Sequence, residues 1–169
     1  MSVTEHKKEA PKSVGCMIIT VSDTRNKETD KSGQLIRQFL EEAGHTVTRY
    51  EIVKDERDMI HDAIEAGATD DAVQAILLHG GTGIAKRDVT VEVVASKLHK
   101  ELPGFGEIFR MLSYTEDIGS AAILSRAIAG VYEDRAVFSM PGSSGAVRLA
   151  MSKLIIPELG HVMREIYKK

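Results

Sequence analysis

From Val14 onward the chain alternates between two hydrophobic periods. Cys16-Met17-Ile18-Ile19-Thr20-Val21 is a short, nearly continuous apolar run, the pattern of a strand buried on both faces. After the polar stretch Ser22–Lys31, Leu35, Ile36, Phe39, Leu40 and Ala43 recur at helical spacing, and Gly44 reads as the stop. Val47 to Val53 alternates with polar residues, which predicts a strand wet on one side at a sheet edge. Met59, Ile60, Ala63 and Ile64 predict a second helix ending at Gly67, and Ala75-Ile76-Leu77-Leu78 a second fully buried strand. Two or more helices are predicted between Thr90 and Ala129, the stretch Ile118–Ala129 being apolar nearly all round, as for a helix buried at a subunit interface. Ala136–Met140 is a further strand, broken by Pro141-Gly142. A long helical stretch from about Ser144 must kink or divide at Pro157.

Strands alternating with helices predict an α/β fold: three layers, a mainly parallel sheet with helices on both faces. In such sheets ligands bind beyond the carboxyl ends of the strands. The loops that matter are therefore Ser22–Lys31, Val53–Arg57, His79–Thr90 and Pro141–Ser144. Residues 1–12 are polar with mixed charge and read as a flexible tail. Residues 13–169 form one domain.

Composition narrows the classes. At 169 residues with 43% hydrophobic and 28% charged positions the chain is an ordinary globular domain. No apolar run approaches the roughly 20 residues of a membrane helix, and residues 1–12 lack the apolar core of a signal peptide. The expectation is a cytoplasmic protein. One cysteine, Cys16, excludes an internal disulfide framework, and a formal charge of -3 gives no reason to expect a nucleic-acid partner. Cys16 itself reads as buried filler.

The loop after Leu78 carries the strongest chemical signal: His79-Gly80-Gly81-Thr82-Gly83, then Asp88. Three glycines in four positions allow positive φ and bring backbone N–H groups close to an anion. Neither G-x-x-x-x-G-K-[ST] nor a complete G-x-G-x-x-G is present. The same loop can also be a plain tight turn, with Asp88 as a helix cap and His79 as a packing or hydrogen-bonding residue. Pro141-Gly142-Ser143-Ser144 suits a phosphate or pterin, or simple capping. Asp23 suits a cation or an Asx-turn. Asp55 is a cap candidate, yet it shares a sheet end with Asp88, and paired carboxylates beside a phosphate cradle suit magnesium-dependent phosphate chemistry.

Taken together, Ser22-Asp23-Thr24-Arg25 with Asp30 and Ser32-Gly33, the Gly80–Gly83 loop with Asp88, Pro103–Ser113, Leu124-Ser125-Arg126-Ala127 and Pro141-Gly142-Ser143 resemble the MoaB/Mog family of molybdenum cofactor biosynthesis proteins. Ile84 and Ser144, where many Mog-like members have proline, place it with the MoaB branch. The resemblance implies a homotrimer, or a homohexamer of two trimers, that binds molybdopterin. It implies transfer of AMP from ATP to the pterin's terminal phosphate with release of pyrophosphate, Mg2+ as cofactor, and a metal-insertion protein as partner. Asp55 and Asp88 would then bind Mg2+ or orient the reacting phosphates. Ser22, Asp23, Gly80, Gly81, Thr82, Gly83, Ser113, Ser125, Arg126, Pro141, Gly142 and Ser143 would hold the substrates. A non-catalytic pterin carrier of the same fold and a generic nucleotide-binding scaffold are the alternatives.

Overall fold

In strand β1 (Gly15–Val21) every residue from Cys16 to Val21 is buried, because helices cover both faces of the sheet. Its side chains part in alternation. Cys16 and Ile18 join one core with Leu77 of β3 (Ala75–His79) and Phe138 of β6 (Arg135–Met140), whereas Met17, Ile19 and Val21 join a second with Ile76, Leu78 and Val137. The computed structural model describes residues 2–169. Helices α2 (Lys31–Glu42), α5 (Pro103–Glu116), α6 (Ser144–Ala150) and α7 (Ile156–Tyr167) pack on the first face. Helices α3 (Arg57–Ala68) and α4 (Thr90–Lys97) pack on the second. This is the expected three-layer α/β architecture.

The six strands run in the order β2-β1-β3-β6-β5-β4, with β2 at Thr46–Val53, β4 at Lys100–Glu101 and β5 at Ile128–Tyr132. The first four are parallel; β5 pairs antiparallel with β6, and the short β4 antiparallel with β5. β2 is an edge, as its alternation predicts. From β1 the chain moves outward to β2, then returns across β1 to β3. This reversal leaves the loops after β1 and β3 side by side at the carboxyl ends, where open α/β sheets hold their ligands.

Three expectations need correction. Residues 1–12 are not only a tail: Val3–Glu9 form helix α1, capped reciprocally by Ser2 and Glu5 and packed on α7. Gly67 does not end α3 but lies inside its last turn, where a Cβ would stand 2.7 Å from Met17 Sδ. Ile118–Ala129 is not a helix. Gly119–Leu124 form a 3-10 turn and Ile128 begins β5, which turns into β6 through Glu133 and Asp134, both at positive φ (48° and 59°). Ala122, Ala127 and Ala129 of that stretch are buried, while Ile118, Ile123 and Leu124 are exposed. The long C-terminal stretch divides as Pro157 requires: α6 gives way to a π turn, Met151–Ile155, and Pro157 stands in the first turn of α7.

Candidate functional site

β3 delivers the glycine loop. Gly80 and Gly81 both take positive φ (91° and 66°), and a Cβ on Gly80 would lie 2.3 Å from the carbonyl oxygen of Val21. Only glycine lets the loop turn this close to the end of β1. The Gly80 N–H donates to the Met140 carbonyl at 3.2 Å, so it is spent on tying β3 to β6 and is not a ligand donor as expected. Among the described residues, the N–H groups of Gly81, Thr82 and Gly83 find no protein acceptor. Three unspent donors on consecutive residues are the elements of an anion cradle.

Around them lies a pocket of about 450 Å³, built from the ends of three strands. Thr20, Val21, Ser22 and Arg25 come from β1 and its loop, His79 to Gly83 and Asp88 from β3 and its loop, and Gly142 and Ser143 from the turn after β6. Ser143 also caps α6, accepting from Ala146 N at 3.2 Å, so the capping and lining roles coexist. Ser32 donates to the Gly142 carbonyl at 2.8 Å and fixes that turn. Asp88 does not cap α4, whose N-cap is Val89. Its Oδ2 accepts from Ala85 N at 3.1 Å, and its carboxylate faces Gly83.

Not every expected residue reaches the pocket. Asp23 opens onto the neighbouring cleft instead, and Arg87 holds it through Nε–Oδ2 (2.5 Å) and Nη2–Oδ1 (2.8 Å). Arg87 keeps its carboxyl low, at about 2. The same carboxylate accepts from Asp55 N at 3.2 Å, which clips the β1 and β2 loops together. Asp55 is not a helix cap either; Glu56 holds that place. Burial, then the carboxylates of Asp23 and Asp88, push the Asp55 carboxyl upward. Its Oδ1 lies 2.9 Å from where a Gly81 Cβ would stand. Asp55 therefore abuts the back of the cradle, among like charges. Ser113 is buried in α5, accepting backbone N–H groups of its own segment; neither it, Ser125 nor Pro141 lines the pocket. Arg126 reaches the loop from behind: Nη1 donates to the Gly83 carbonyl at 2.9 Å and Nη2 to Glu92 Oε2 at 2.5 Å.

Two groups gain meaning only from the structure. Asp30, fully buried, caps α2 by accepting from Gly33 N and also accepts from Thr20 (2.5 Å) and Tyr50. Burial alone would raise its carboxyl, but hydrogen bonds with His79, Thr20, Tyr50 and Gly33 N outweigh it and hold it well below the carboxylate range. Since Thr20 gives its proton to Asp30, its oxygen accepts from His79 Nε2 at 2.6 Å. That fixes the tautomer and leaves His79 Nδ1, on a side chain 2% exposed, without a partner. This nitrogen is turned to Gly142, at the pocket wall. Thr90 Oγ1 is also buried without a partner, beside Gly81. Buried polar atoms are ordinarily satisfied, so the unpartnered His79 Nδ1 at the pocket wall is a candidate ligand contact, whereas Thr90 Oγ1 lies outside the lining. Sequence could place His79 before the glycines; the proton on Nε2 depends on Asp30, which only the fold brings beneath it.

Fold and site together define a class: three-layer α/β proteins whose parallel strands end in a polar, glycine-lined pocket with carboxylates at its back. Residues 17–161 match the family model described as a probable molybdopterin binding domain, and the chain belongs to the MoaB/Mog family of molybdenum cofactor biosynthesis proteins. A relative from Bacillus subtilis (strain 168), a Molybdenum cofactor biosynthesis protein B, is 68% identical over 168 residues, 99% of each chain. The crystal structure of a Molybdenum cofactor biosynthesis protein B superposes with a TM-score of 0.92 at 61% identity, covering 95% of this chain and 100% of the other. The tungsten cofactor synthesizing protein MoaB from Pyrococcus furiosus gives 0.79 at 36% identity, with 94% and 100% covered. No described helix is long and apolar enough to cross a membrane.

Proposed function

We propose that this protein binds molybdopterin in the glycine-loop pocket and transfers AMP from ATP to the pterin's terminal phosphate. A phosphate oxygen of the pterin forms a bond to the α-phosphorus of ATP, the bond from that phosphorus to the bridging oxygen breaks, and pyrophosphate leaves. The observation that carries this reading is the set of three unspent N–H donors, Gly81 to Gly83, at the switch point of the sheet beside Asp55 and Asp88. Two polyanions must meet in this reaction, so the barrier is one of positioning and charge. The loop donors take phosphoryl oxygens, and Arg25 adds a cation. His79 Nδ1 offers a lone pair to a ligand proton. No protein nucleophile is needed. Cys16, the sole thiol, is buried in β1 with its pKa pushed by burial to about 12.

Asp55 and Asp88 fit Mg2+. They are hard oxygen donors, and Asp55 is already strained by its acidic neighbours, which a dication would relieve. Among the described residues no three carboxylates of this site converge on one point, which suits an ion that completes its sphere with substrate phosphates and water. Bound there, Mg2+ would supply charge neutralisation between the reacting phosphates.

We also propose that the chain works as a trimer, or as two stacked trimers. Support comes from Ile108, Met111 and Tyr114, three residues apart on α5 and each at least half exposed, and from Ile123 in the 3-10 turn packed on α5, at 86% exposure. A contiguous exposed apolar patch is the mark of an interface.

The test is incubation with molybdopterin, ATP and Mg2+, with pyrophosphate measured. Release is expected, and its loss in Asp88→Ala and Asp55→Ala with the fold intact. Full activity in both variants would remove the metal role. Pterin binding without pyrophosphate would leave a carrier, and no binding by calorimetry at micromolar protein would leave a scaffold whose glycine loop is only a turn.

A further inference from the structure

Far from the glycine loop, α1 lies along α7 and brings two imidazoles and a carboxylate together. His6 Nδ1 is 3.2 Å from Glu165 Oε1, and His161 Nε2 is 3.8 Å from the same oxygen. The two rings stand 5.6 Å apart, tilted by 58°. One ligand atom from each of His6, His161 and Glu165 falls within 4.8 Å of the others, and all three residues are half-buried. Among the described residues this is the one such convergence of three metal-type side chains. His161 and Glu165 are one turn apart on α7, and His6 closes the set from the other helix.

The surroundings orient these groups. The second nitrogen of His161, Nδ1, bonds Glu158 Oε2 at 2.9 Å. A carboxylate on the far nitrogen fixes the tautomer and leaves Nε2 with its lone pair toward the cluster, the arrangement that supports metal-bound histidine. Lys7 holds the other oxygen of Glu158 at 2.5 Å. Arg164 (3.4 Å) and Lys168 (3.1 Å) hold Glu165 Oε2, which leaves Oε1 for the histidines. The neighbouring cations thus bind outer oxygens, and the inner atoms face one another.

We propose that His6, His161 and Glu165 form a binding site for a first-row transition dication of the zinc type, which clasps the N-terminal helix to the C-terminal one. Two imidazole nitrogens and one carboxylate oxygen suit Zn2+, with water in the fourth place. The nitrogen-rich set disfavours Mg2+ and Ca2+, which take oxygen. The site is separate from the glycine pocket, so its occupancy and the transferase reading stand or fall independently.

The probes are Zn2+ by calorimetry and Co2+ by visible absorption, on the full untagged chain freed of metal by chelation. One Zn2+ per chain is expected, with Co2+ giving d–d bands that Zn2+ displaces. His6→Ala and His161→Ala should each weaken Zn2+ binding by about 100-fold or more, and Glu158→Gln, which changes the partner of the outer nitrogen and leaves the three ligands in place, by about 10–100-fold. Glu165→Gln keeps the shape and should lose affinity while far-ultraviolet circular dichroism stays unchanged. Zn2+ should also raise the melting temperature of the wild type and leave that of His6→Ala,His161→Ala unmoved. Equal affinity and stoichiometry in wild type and that double variant would overturn the proposal, as would the absence of Co2+ bands in the wild type.

Discussion

Gly80→Ala tests whether the glycine loop is dictated by backbone geometry. Two costs add. An alanine forced to φ near 91° loses about 1–2 kcal/mol through its Cβ. That Cβ would also stand 2.3 Å from the Val21 carbonyl oxygen, a backbone atom inside the sheet that cannot rotate away. Overpacking of this kind costs about 1–3 kcal/mol. The sum is about 2–5 kcal/mol, and at about 2–4 °C per kcal/mol for a chain of this size the melting temperature should fall by about 4–20 °C. Gly104→Ala is the matched control. Gly104 sits in the first turn of α5 with nothing within 4 Å of its Cβ position, so the same substitution should stabilise by about 0.5–1 kcal/mol. Thermal unfolding by circular dichroism reads both. A Gly80→Ala melting temperature within about 1 °C of wild type, or a destabilised Gly104→Ala, would refute the argument that local backbone conformation and contact decide the loop.

Other expectations follow from charge and burial. Asp55→Asn should raise the melting temperature at pH 7 by about 1–2 °C, since removing a half-buried charge that burial and the Asp23 and Asp88 carboxylates disfavour is worth about 0.5 kcal/mol, while abolishing pyrophosphate release. Because the folded state raises this carboxyl, the gain should vanish on acidification through its titration; a gain that persists at pH 3 would exclude charge relief as its source. Asp30→Asn should cost about 1–3 kcal/mol by leaving buried donors unmatched. Asp30 is held low, so its contribution is complete above the ordinary carboxylate pKa of about 4 and lost only as pH falls through the lower folded value. The stability gap between wild type and Asp30→Asn should therefore hold from pH 7 to about 4, and a gap that closes by pH 5 would contradict the assignment. If the proposed oligomer packs through α5, Met111→Asp should reduce it to monomer in light scattering with little change in secondary structure; an unchanged mass would remove α5 from the proposed interface.

What could be read from the chain depended on how local the cause was. The strands β1, β3 and β6 were legible because burial on both faces writes an unbroken apolar run. The glycine loop was legible because its backbone needs are met by residue type alone. β5 was not. Its run Ile128-Ala129-Gly130-Val131-Tyr132 continues an apolar stretch that reads as helix, and its hairpin turn uses Glu133-Asp134 at positive φ rather than the Asn-Gly pair that announces such turns. β4, two residues long, carries no period at all. At the site, Asp55 and Asp88 were legible as residues on loops at one sheet end. The diversion of Asp23 to Arg87 was not, since it depends on a side-chain pair between distant loops. Nor was the α1–α7 contact, because a polar amphipathic segment looks like a tail until its partner helix is known.

Arg126 ties the Gly83 carbonyl to Glu92, and it follows two residues after Leu124, at the end of the exposed 3-10 turn. One side chain thus joins the chain leaving the exposed turn to the back of the glycine loop, so the Gly83 carbonyl is held by a residue that the sequence places 43 positions away.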